Sequence, residues 1–73
     1  MSSIKEQKLY WQNEIIARLE KAGILKFLIN EVADSLDYLN LYKVKNVYNG
    51  IDKLITTLKE MQTNYMLATI KKI

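Results

Sequence analysis

The sequence predicts an all-α fold: an antiparallel three-helix bundle with a coiled-coil-like third helix, self-associated as an oligomer. Three observations carry that reading. Proline is absent, and only two glycines interrupt the 73 residues. No stretch keeps the strict alternation of a half-buried strand over roughly six residues or more. Gly23 and Gly50 divide the chain into residues 1–22, 24–49 and 51–73, and each part repeats its apolar residues at helical intervals. Helices are expected near 3–22, 24–48 and 51–72 of one domain, 1–73.

The first helix opens SSIKE. Ser3, with Glu6 three positions on, has the form of a capping box, in which each side chain satisfies a backbone N–H that the first turn leaves free. Ile4, Trp11, Ile15 and Ala22 then follow, flanked by Leu9, Ile16 and Leu19. The stop is EKAGI. Lys21 complements the negative helix end, Gly23 is placed to adopt the left-handed cap conformation, and Ile24 packs back.

The second segment is the most apolar. Leu25, Leu28, Val32, Leu36 and Leu39 form one stripe, widened by Ile29 and Ala33. A second stripe of Phe27, Tyr38, Leu41 and Tyr48 is interleaved with Asn30, Glu31, Asp34 and Asp37. Large aromatics on such a face are better covered than left in water.

In the third segment Val44, Val47, Ile51, Leu54, Leu58, Met61, Tyr65 and Ala68 are spaced three and four apart in turn. That is a heptad seam running straight through Asn49-Gly50. Two readings follow. A bend at Asn49-Gly50 would make two near-equal antiparallel helices, with Lys43 and Lys45 near the end of one and Asn49 and Asp52 capping the next. A break near Asn40 to Lys43 would instead keep the seam in one helix of about thirty residues, roughly 45 Å long. The poor helix formers of NLYKVKNVYNG tip the balance to Asn49-Gly50.

Composition removes several classes of chemistry. Cysteine and histidine are both absent. Disulfides, thiolate or imidazole metal ligands, and Ser–His or Cys–His nucleophile pairs are thereby excluded. The DSLD pair, Asp34 and Asp37, lacks the glycine and loop spacing of a carboxylate cation site. No phosphate-cradling glycine loop is present. The chain is therefore expected to be non-enzymatic, without cofactor or metal. No apolar run approaches the ~20 residues of a membrane span, and MSSIKEQK carries no apolar leader, which sets a cytoplasmic expectation. A composition rich in Lys, Ile, Asn and Tyr fits an AT-rich source such as a phage or mobile element.

A chain this small buries only roughly 60% of its unfolded surface and usually needs outside support. With disulfides and metal excluded, that support is another chain. The sequence accordingly predicts a small regulator, inhibitor or assembly factor that binds itself, as a homodimer, and another protein. Its interface is expected at Phe27, Tyr38, Leu41, Tyr42 and Tyr48, with a helical seam over Val44, Val47, Ile51, Leu54, Leu58, Met61 and Tyr65. The alternative is a compact nucleic-acid-binding protein. Its net charge is +3, and Arg18, Lys21, Lys26, Lys71 and Lys72 would share one pole of an up-down-up bundle.

Overall fold

The computed structural model describes residues 3–71, and four helices hold nearly all of them. They are α1 (Ile4–Lys21), α2 (Lys26–Asp37), α3 (Leu41–Asn49) and α4 (Ile51–Lys71). No strand occurs among the described residues.

The start and stop of α1 follow from local chemistry. The Ser3 hydroxyl accepts the Glu6 N–H at 3.1 Å. At the other end the Ile24 N–H donates to the Leu19 carbonyl and the Gly23 N–H to the Glu20 carbonyl, the paired bonds of a Schellman motif. Gly23 has φ 79°, a conformation that a Cβ penalises, and Ile24 is buried as the motif requires.

The helix expected over 24–48 is in fact two helices. α2 ends at Asp37, and the chain turns through Tyr38, Leu39 and Asn40. Asn40 causes the restart: its extended backbone (φ −79°, ψ 170°) lets the carboxamide oxygen accept the Lys43 N–H at 2.9 Å. The N-cap expected at Asn49 is therefore at Asn40.

Gly50 interrupts the helix without reversing it, so the antiparallel hairpin expected there does not form. Its N–H donates to the carbonyls of Asn46 and Val47, and its own carbonyl accepts from the Leu54 N–H. The seam keeps its register across this point. Val44, Ile51 and Leu58, seven residues apart, are all buried.

The course of the chain follows from the cross-contacts. Lys8 Nζ and Gln12 Nε2 both donate to Asp37, so the end of α2 lies beside the first half of α1 and the two are antiparallel. Along α3 and α4, Tyr48 meets Trp11, Asp52 meets Arg18, and Gln62 meets Gly23 and Leu25. α3 and α4 thus climb α1 in the same direction.

The core is Ile15 and Leu19 of α1, Ile24, then Leu28, Ile29 and Leu36 of α2, Val44 of α3, and Ile51 and Leu58 of α4. Each such side chain stabilises by about 1.5–3 kcal/mol when taken fully out of water. α1 is the shared support, since α2, α3 and α4 all pack on it while α2 makes only slight contact with the last two. The result is elongated, 54 × 19 × 18 Å, with a radius of gyration of 14.1 Å. A compact chain of this length would have about 11 Å.

The two glycines respond oppositely to alanine. At Gly23 the positive φ makes Gly23→Ala destabilising by about 1 kcal/mol, which lowers the thermal midpoint by roughly 4–8 °C. At Gly50 (φ −99°, ψ 22°) a Cβ would meet nothing closer than the Asn46 carbonyl at 3.7 Å. Gly50→Ala should leave the midpoint unchanged or raise it by a similar amount. Circular-dichroism melts of both variants check this.

Candidate protein interface

Two letters of the heptad seam do different jobs. Val44, Ile51 and Leu58 point into the core on α1. Val47, Leu54 and Met61 lie on the other side of the seam and, with Leu58 at its floor, line an open groove of about 410 Å³ between α2 and the α3–α4 limb. Its facing wall is the main stripe of α2, with Leu28, Val32, Leu36 and Leu39. α2 rests on α1 and touches α4 only lightly, which leaves a shallow apolar cleft floored by the buried Leu28, Leu36 and Leu58.

Past the groove, α4 outruns its own support. Gln62 is the last residue tied to the α1–α2 turn: its Oε1 accepts the Leu25 N–H at 2.9 Å and its Nε2 donates to the Gly23 carbonyl at 3.4 Å. α2 begins with Leu25 in the capping position, where no side-chain cap bond is available, so Gln62 supplies the missing acceptor. Residues 63–71 then continue as helix for about 13 Å more at 1.5 Å per residue. Tyr65, Met66, Leu67 and Ile70 of this arm are all exposed, Ile70 by 63%. Phe27 leans on Tyr65, with ring centroids 5.3 Å apart, and links the arm to the groove mouth.

The structure divides the residues expected at an interface. Phe27 stands at the groove mouth, at the start of α2. Tyr38 and Tyr42 flank the α2–α3 turn at the opposite end, exposed by 91% and 73%. Leu41 is half-buried there. Tyr48 packs edge-on to Trp11 at 5.0 Å, with Lys45 over the same indole, and so takes part in the α1–α3 contact. The five residues therefore do not form one surface.

The described basic residues of the expected set lie towards the α1–α2 turn end of the molecule. Arg18 is engaged by Asp52 at 3.1 Å. Lys21 and Lys26 flank the α1–α2 turn, while Lys71 sits at the tip of the arm. Lys72 lies outside the described residues. Among the described residues no group of three or more acidic, His or Cys side chains is placed to hold a metal ion. No described helix is long and apolar enough to cross a membrane.

The sequence showed the seam and the α2 stripe, but it did not reveal Gln62 or the arm. Gln62 has no local signature, because its partners are 37 and 39 residues away. The arm did leave a signal: in YMLATI only Thr69 is polar, which places apolar side chains all round the helix.

Comparison of the chain with family models, curated proteins and solved structures returns no match. The reading of this surface rests on its own chemistry.

Replacing Gln62 by Ala removes both bonds to the turn. It should cost about 0.5–1.5 kcal/mol and selectively speed amide exchange at Leu25. Hydrogen exchange followed by NMR checks this. Unchanged protection at Leu25 would show that water serves as well as Gln62.

Proposed function

We propose that this is a small, non-enzymatic protein–protein interaction protein, a regulator, inhibitor or assembly factor whose working surface is the α2–α4 groove together with the apolar arm. One observation carries the reading. The chain exposes 5739 Å² of surface, whereas a compact monomer of 8.6 kDa exposes about 4,700 Å². The excess, on the order of 1,000 Å², matches the roughly 800 Å² that each partner buries in a standard protein interface.

The quality of that surface points the same way. Tyr, Met and Phe concentrate in interface centres because they bury much area for little lost freedom. Here Met61, Tyr65 and Phe27 adjoin one another at the groove mouth, and Met66 is exposed on the arm. An open cleft with aliphatic walls suits an amphipathic helix laid along it. Self-association is part of this proposal, as is action inside the cell.

The competing reading, nucleic-acid binding through Arg18, Lys21, Lys26, Lys71 and Lys72, draws less support. Arg18 is already paired, and Lys71 stands at the tip of the arm, about 13 Å beyond the turn that Lys21 and Lys26 flank.

Leu67→Lys with Ile70→Lys separates the two. Both positions are exposed and lysine is a good helix former, so the melting midpoint should stay within about 0.5 kcal/mol of the parent. The parent, tagged at its N-terminus, should retain a discrete protein from the source cells, itself or another, and the double variant should lose it. A labelled oligonucleotide at about 150 mM salt should show no saturable anisotropy change. Saturable binding abolished by Lys21→Glu with Lys26→Glu would replace this reading with the nucleic-acid one.

A further inference from the structure

We infer that the groove between α2 and α4 receives residues 62–71 of a second copy of this chain, in a reciprocal exchange across a two-fold axis close to Met61. The inference rests on the interaction reading above and names the occupant.

The arm needs a groove and not a flat face. Tyr65, Met66, Leu67, Ala68 and Ile70 crowd six consecutive positions, so apolar side chains point to every side of the helix. A helix apolar all round is stable in water only when enclosed. Its own chain offers no enclosure beyond Phe27. Nor does the arm reach its own groove. It is the unbroken continuation of α4, and α4 is one wall of that groove. Only an arm from another molecule enters.

Length, register and charge agree with a copy of the same chain. The arm of ten residues spans about 14 Å, and the helical part of the α2 wall from Leu28 to Leu36 spans about 12 Å. An axis near Met61 sets the two α4 helices antiparallel. The arm's Tyr65 then falls level with Thr57 of the partner, next to Leu58, and its Ala68 level with Leu54. The seam is thereby self-complementary: Met61, Tyr65 and Ala68 of one copy continue the line on which Leu54 and Leu58 of the other lie. Residues 62–71 carry Lys71 and no acid, while Glu31 lines the groove on the α2 wall. In this orientation Lys71 travels towards the C-terminal end of α2, where the helix dipole favours a cation.

The absence of cysteine makes the geometry directly testable. Ser35, which lines the groove, and Ile70 of the arm are each replaced by cysteine in separate chains, mixed in equal amounts and oxidised. The mixed Ser35→Cys/Ile70→Cys disulfide dimer should predominate. Ile70→Cys alone should not cross-link, because the exchange holds the two copies of residue 70 about 25 Å apart, far beyond the ~7 Å limit for a disulfide. Met61→Cys alone, beside the axis, should cross-link with itself. Leu67→Lys with Ile70→Lys should weaken dimerisation on the order of 100-fold in sedimentation equilibrium.

A chain that dimerises but cross-links through Ile70→Cys alone has its arms paired side by side, which overturns the exchange and leaves the interaction reading standing. A chain that stays monomeric up to roughly 100 μM overturns the exchange as well. The capture experiment above then decides the interaction reading separately.

Discussion

Ile15 and Leu19 of α1 are the support on which the rest of the molecule rests. Both are fully buried, and they face residues from every other helix: Leu36 of α2, Val44 of α3, Ile51 and Leu58 of α4. α2 and the α3–α4 limb both lean on α1 and meet each other only lightly, as at Phe27 with Tyr65 and Leu25 with Gln62. A closed bundle would seal all three sides of a triangular core. Here one side stays open, and that side is the groove. The open cleft is a direct result of how 73 residues divide their apolar stock.

That division leaves more grease outside than in. Among the described residues nine apolar side chains are buried, while twelve large ones are exposed. Isolated exposed apolar residues are ordinary. A continuous tract running from the groove walls through Phe27 and Tyr65 to Ile70 is not. Such a tract has two uses, to hold a partner or to aggregate, and its order along a single helix favours the first. The polar clasp at Gln62 marks where the chain stops supporting itself and the surface available to a partner begins.

How much of this was visible in the residues depended on how local each cause was. The Gly23 turn was legible because all of its determinants lie within six positions, from Leu19 to Ile24. Ser3 and the heptad seam were legible for the same reason. The break at Asn40 was harder, because Asn40 and Asn49 both look like helix caps, and only packing chose between them. With α2 ending at Asp37, Tyr48 is free to reach Trp11 and Val44 to enter the core. A helix continued to residue 48 would have carried both away from α1. The seam is not the side of a hairpin, since its residues are shared between the core on α1 and the groove beside α2. Gln62 was illegible, for nothing in a lone glutamine announces a partner in a distant turn.

The start of α2 also ties distant parts of the chain together. α1 and α3 carry their own opening signals, in Ser3 and Asn40. α2 opens on Leu25, which has nothing to offer its free amide, and borrows a carboxamide from far downstream. The first turn of α2 therefore completes its bonding only where α4 is docked, so its amide at Leu25 is tied to a segment 37 residues away.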